Sequence, residues 1–125
     1  MSPPAGSTDP LVGDLRRAGL LPLLVLHYAD HEPTYGNRLI ERIEALTEGA
    51  LRVNPNTMYP LLRSLEARGL IEGAWEHPDG RGRRYYRITP AGEAEREGLL
   101  VELAPRLDRI ARAIRALRVE VVDAG

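Results

Sequence analysis

The 125-residue chain has no cysteine and no lysine. Without thiols there is no disulfide framework, no thiolate zinc site and no cysteine nucleophile, which leaves histidines and carboxylates as the available metal ligands. All 17 basic side chains are arginine, a bias that a GC-rich genome produces without functional cause. A long apolar run is missing too. The run from Leu20 to Leu26 contains Pro22 and falls far short of the roughly 18 residues needed to cross a bilayer. Arg16-Arg17 before it imitate a secretion signal, but no convincing small-residue cleavage site follows. A soluble, cytoplasmic protein with no membrane partner is expected.

What is present suits one small globular unit: 43% hydrophobic residues and a formal net charge of −1. A chain this short buries only about two-thirds of its unfolded surface, so further burial by self-association is expected, most simply as a homodimer. Neutrality hides an uneven distribution. Residues 51–90 hold seven arginines against four acids, whereas residues 1–50 hold seven acids against four arginines.

Residues 1–9, with two prolines, one glycine and little that is apolar, read as a disordered tail. Leu11, Leu15, Ala18, Leu21 and Val25 then follow a helical period to about Asp30, with a bend or restart at Gly19 and Pro22. After the turn His31-Glu32-Pro33-Thr34, Thr34 is placed to cap a second helix with the apolar stripe Leu39, Ile40, Ile43 and Leu46. Asn54-Pro55 combines a capping side chain with a proline at the first helical position, and opens a third helix that Gly69 closes. Two strands are expected at 71–77 and 84–88, joined by Pro78-Asp79-Gly80-Arg81-Gly82-Arg83.

Thr89-Pro90 repeats the cap-then-proline signal before a last helix that runs to about Val122. There Leu100, Leu103, Leu107, Ile110, Ile114, Leu117 and Val121 alternate spacings of three and four, a heptad seam suited to pairing with a second subunit. Pro105 lies inside it, where a kink or break near Ala104 is expected. The division is a tail at 1–9, a domain at 10–90 and a dimerisation helix at 91–122. The fold class is mainly α with a small β-hairpin.

If Met58, Leu61, Leu62 and Leu65 face the core, a helical wheel turns Asn56, Tyr59 and Arg63 outward. A guanidinium forks onto guanine or phosphate, an amide bonds adenine, and a phenol donates to phosphate. A solvated helix face explains these residues equally well on their own. The run Arg81-Gly82-Arg83-Arg84-Tyr85-Tyr86-Arg87 shifts the balance, because it sets four positive charges and no acid on the hairpin that follows this helix. A helix for the major groove with a basic hairpin for phosphates is a coherent docking device for double-stranded DNA. On the hairpin, Trp75 and at least one of Tyr85 and Tyr86 are expected to pack rather than stack on bases.

These residues carry a resemblance. Tyr35-Gly36, the run from Asn56 to Ile71 with its Thr-Met-Tyr-Pro-Leu-Leu core, Trp75-Glu76, and the run from Arg83 to Gly92 resemble the PadR family of bacterial winged-helix transcriptional regulators. The likeness spans about residues 15–120, and the single C-terminal helix is similar to the smaller class of the family. It implies a winged helix-turn-helix with a long dimerisation helix. It also implies a homodimer that binds an inverted repeat in promoters, a repressor role, and release by a small-molecule effector. Carried across, Tyr35 and Gly36 fall near phosphates, Asn56, Thr57, Tyr59 and Arg63 on the recognition helix, and Arg81, Arg83 and Arg84 on the wing. Pro60 sits inside that helix as in the family pattern and is expected to tighten or kink its first turns. Residues 89–125 contain no aromatic, unlike family members that stack planar drugs there, which argues against flat aromatic effectors at that helix.

Two other readings compete. His27 and His31, four apart near Asp30 and Glu32, could share a metal on one helix face and make a metal-responsive regulator or a catalytic site, but the glutamate of the zinc-protease motif is absent between them. No cofactor, metal or enzymatic activity is expected. The second is a protein-interaction adaptor in which the same fold no longer touches DNA.

Overall fold

The computed structural model describes residues 10–123, so the tail expected at 1–9 lies outside the described residues. Helix α1 (Pro10–Arg17) and helix α2 (Leu20–His31) are separated at Gly19, whose φ of 106° only glycine adopts freely. Pro22 causes no break, because it falls in the first turn of α2, where its missing N–H has no partner to lose.

Helix α3 (Gly36–Leu46) buries Leu39 and Ile43 against α2 residues such as Val25 and Leu26. Thr34 does not cap it. Tyr35 occupies the cap position with no side-chain bond, because the preceding backbone is drawn into extended pairing. Thr34 N–H donates to the Tyr86 carbonyl at 3.1 Å and the Thr34 carbonyl accepts from Tyr86 N–H at 2.7 Å. The Thr34 hydroxyl is buried and has no hydrogen-bond partner among the described residues.

Helix α4 (Pro55–Ala67) starts as its sequence signals, with Asn54 Oδ1 accepting from Thr57 N–H at 3.1 Å. It runs through Pro60 as continuous helix and buries Met58, Leu62 and Leu65. Each such leucine contributes roughly 1.5–3 kcal/mol by leaving water. Gly69, at φ 75°, ends the helix: its N–H bonds the Glu66 carbonyl at 2.9 Å and Leu70 N–H bonds the Leu65 carbonyl at 3.0 Å.

Strands β1 (Ile71–Trp75) and β2 (Arg84–Ile88) pair antiparallel, Ile71 opposite Ile88 and Trp75 opposite Arg84. Beyond Trp75 the pairing persists only as single bonds, Glu76 N–H to the Arg83 carbonyl at 2.8 Å and His77 N–H to the Arg81 carbonyl at 3.1 Å, so β1 is shorter than expected.

Helix α5 (Pro90–Arg118) begins at a crowded junction. Thr89 Oγ1 accepts from Gly92 N–H at 3.0 Å and donates to the Gly69 carbonyl at 2.6 Å, while Thr89 N–H donates to the Leu70 carbonyl at 3.1 Å. A Cβ on Gly92 would lie 2.0 Å from that same Leu70 oxygen. Further on, Leu99 packs over Gly19, and Arg96 Nη1 donates to Asp30 Oδ2 at 2.6 Å. Pro105 does not break α5. The carbonyl it leaves without an intrahelical donor belongs to Val101, which is 74% exposed and so open to solvent. One π-helical turn, Val119–Asp123, ends the described chain.

The seam divides at Leu103. That leucine is fully buried within its own subunit, whereas Leu100, Leu107, Ile114, Leu117 and Val121 are exposed and Ile110 is half-buried. No helix among the described residues is long and apolar enough to cross a membrane.

Candidate nucleic-acid interface

Three elements enclose one groove of about 580 Å³: the start of α3, the outer face of α4 and the inner side of the hairpin. Of the residues singled out in the sequence, Tyr35, Gly36, Tyr59, Arg63, Arg83 and Arg84 line it. Asn56, exposed, and Thr57, half-buried, occupy the first turn of α4 just beyond, and Arg81 stands at the hairpin tip.

Gly36 explains how the helices approach so closely. A Cβ there would meet the Tyr59 ring at 2.7 Å, so the ring lies close against the first residue of α3. Its hydroxyl donates to Asn37 Oδ1 at 3.1 Å. Asn37 was not singled out in the sequence, although its place directly after Tyr35-Gly36 was the available signal. Tyr35 meets Tyr85 edge-on at 5.4 Å, and the Arg83 guanidinium lies 4.6 Å from the centre of the Tyr35 ring. The first turn of α3, the middle of α4 and the wing are thereby joined through aromatic faces.

The charges differ in availability. Arg63 and Arg83 are exposed and make no ion pair among the described residues. Arg81 bonds Asp79 at the tip, Nε to Oδ2 at 2.5 Å, with four-fifths of its side chain in solvent. Arg84 is engaged: its Nη2 donates to Glu66 Oε2 at 2.6 Å, and the pair is less than one-third exposed. The hydrogen bond to Glu66 is the main reason the Arg84 guanidinium holds its proton even more firmly than usual, and burial pushes the Tyr86 hydroxyl up.

The aromatic residues sort differently from expectation. Tyr86 is buried, but Trp75 is 50% exposed, because β1 carries it past the helices toward the tip, and its contact is the Arg84 guanidinium at 5.3 Å. The histidine pair sits outside this groove. The rings of His27 and His31 meet edge-on at 4.6 Å, and His31 Nδ1 is 2.9 Å from the His27 carbonyl, a bond that ties down the helix end. No group of three or more metal-ligating side chains occurs among the described residues.

Comparison with known proteins gives one answer. Residues 25–98 match the Transcriptional regulator PadR-like family. The chain is 39% identical over 92 residues to the Mycobacterium tuberculosis transcriptional regulator Rv3488, an alignment covering 74% of this chain and 79% of that protein. The crystal structure of a PadR family transcriptional regulator from Eggerthella lenta is similar at a TM-score of 0.62 with 31% identity, covering 82% of this chain and 88% of that one. A transcriptional regulator from Clostridium thermocellum shares the fold at a TM-score of 0.67 with 24% identity, over 79% and 96% of the two chains. With the winged hairpin, the long last helix and these matches together, the chain belongs to the PadR-like family of transcriptional regulators.

Proposed function

We propose that this regulator is a repressor that binds an inverted-repeat site in double-stranded DNA as a homodimer and is released by a small-molecule effector. The observation that carries the DNA reading is the convergence of Arg63 and Arg83, two exposed guanidiniums with no ion pair among the described residues, on one groove beside α4. Helix α4 enters the major groove, with Asn56, Thr57, Tyr59 and Arg63 toward bases and nearby phosphates, while Tyr35 and the backbone at Gly36 approach the flanking strand. The hairpin lays Arg81 and Arg83 along the phosphates. Arg84, expected on the same surface, has its charge already matched by Glu66.

The C-terminal half of α5 supports the dimer. From Ala104 to Arg118 every residue except Ile110 is exposed, yet so short an isolated helix is marginal in water. Leu107, Ile114 and Leu117 on its surface are covered when a second copy pairs with it. Two recognition helices then face half-sites about one helical turn, 34–36 Å, apart.

Selection of bound genomic fragments with purified protein tests this. The expected result is a recovered inverted repeat whose affinity falls steeply as salt rises, because some 6–10 phosphate contacts release counterions. Arg81→Ala with Arg83→Ala weakens all sequences alike and flattens the salt slope, whereas Asn56→Ala or Arg63→Ala relaxes sequence preference. Retention of no DNA at low salt would refute the reading and favour an adaptor.

A further inference from the structure

We propose that Glu66 and Arg84 form a strut that holds the wing at one angle to α4, making both positioning residues for DNA recognition rather than DNA contacts. The inference rests on the DNA-binding reading above for its functional consequence, and on the geometry of the free protein for its existence.

Three features converge on the Arg84 guanidinium, and a fourth concerns its acidic partner. Its edge donates to Glu66 Oε2 at 2.6 Å across from the last turn of α4. Its plane lies 5.3 Å from the Trp75 ring centre and 5.9 Å from that of Tyr86, so aromatic surface from both strands confines it. The facing strand is cut away for it: a Cβ on Gly73 would lie 2.7 Å from Nε and 2.9 Å from Cζ. A glycine in the interior of a five-residue strand otherwise weakens it, and here it makes room for a side chain crossing from β2. Glu66, finally, is an acid near the C-terminus of a helix, where the dipole opposes it, so helix stability does not account for it and a cation partner does.

The strut makes a prediction opposite to charge counting. Glu66 lies in the groove with Arg63 and Arg83, where a carboxylate repels phosphate, so simple electrostatics has Glu66→Gln tighten DNA binding. If Glu66 instead fixes the wing, its loss disorients Arg83 and weakens binding. A direct phosphate contact by Arg84 is also distinguishable, because removing one contact lowers the salt slope by about one.

The experiment compares wild type, Glu66→Gln, Arg84→Gln, Arg84→Lys and the Glu66→Gln/Arg84→Gln double variant, with thermal melts confirming that each is folded. The probe is a labelled duplex recovered by selection with the wild-type protein, titrated across a salt series. Expected are losses of about tenfold for Glu66→Gln and for Arg84→Gln, a double variant no worse than either, and an unchanged salt slope. Arg84→Lys, which keeps the charge but not the planar fork, does not restore affinity. Tighter binding by Glu66→Gln, or a lowered slope in Arg84→Gln with Glu66→Gln unaffected, overturns the strut. A second readout needs no DNA: Trp75 is the single tryptophan, and its fluorescence anisotropy falls in both single variants as the wing loosens. Unchanged anisotropy in both overturns the strut, while a wild type that retains no duplex refutes the DNA reading and leaves Trp75 to decide.

Discussion

Substituting Gly92 by alanine should destabilise the fold out of proportion to the single methyl added. The new Cβ would sit 2.0 Å from the Leu70 carbonyl oxygen, 3.0 Å from its carbon and 2.7 Å from Ile88 Cγ1. Leu70 is a backbone obstacle, fixed by the end of α4 on one side and by β1 on the other, so no side chain can swing away. Relief requires α5 to lift by more than about 1 Å, which strains the Thr89 bonds to Gly69 and Leu70. Overpacking of this kind costs about 1–3 kcal/mol, and the weakened hydrogen bonds add about 1 kcal/mol each. A total of about 3–5 kcal/mol lowers the melting temperature by roughly 10–20 °C for a domain of this size. Gly98 is the control, because it lies on the same helix, is exposed and has nothing within 4 Å of its Cβ position. Gly98→Ala should gain about 0.5–1 kcal/mol from helix propensity alone. Thermal and urea denaturation followed by circular dichroism, at one fixed protein concentration, measures both. If the two substitutions move stability in the same direction, the packing argument at the α5 junction is wrong.

Leu103→Ala should cost about 2–5 kcal/mol in urea denaturation, since the side chain is fully buried, whereas Leu117→Ala, 64% exposed in the single subunit, should leave folding intact and weaken self-association in sedimentation. Gly36→Ala drives the Tyr59 ring off α3 and should reduce DNA affinity with a melting temperature close to wild type. Stability should fall on acidification in two stages. Burial first, then His31, hold the His27 imidazole below its ordinary 6.5, so the unfolded chain binds the proton more readily and stability drops as pH goes below 6.5. The hydrogen bond from Arg96 holds the Asp30 carboxyl below its ordinary 3.8; that contribution is complete above 3.8 and is lost as pH falls through the depressed value. Urea midpoints against pH for wild type, His27→Gln and Asp30→Asn check each stage.

Local signals in the sequence translated directly into structure. Asn54 and Thr89 cap α4 and α5, and Gly69 closes α4, because each of those decisions involves neighbours within a few residues. The outward set on α4 was equally legible, since a helical period fixes which residues share a face. Long-range pairing defeated the rest. Thr34 looked like a cap until Tyr86, far along the chain, claimed its backbone. Arg84 looked like one more wing cation, and the acid that holds it lies 18 residues back, on α4. Trp75 reads as core by composition, but only the reach of β1 beyond the helices decides its exposure. Leu103 belongs by spacing to the seam and by packing to its own subunit, a distinction that periodicity cannot draw.

Gly69, Leu70, Thr89 and Gly92 form a rigid junction at which the end of α4 and the start of α5 are bolted together through the backbone of Gly69 and Leu70. Helix α5, 29 residues long, is a lever of about 43 Å anchored at that end. In the proposed dimer, tilting that lever by about 5° would move its far end by roughly 4 Å, so modest slippage where two stalks meet would reach α4 as a small, rigid change of aim.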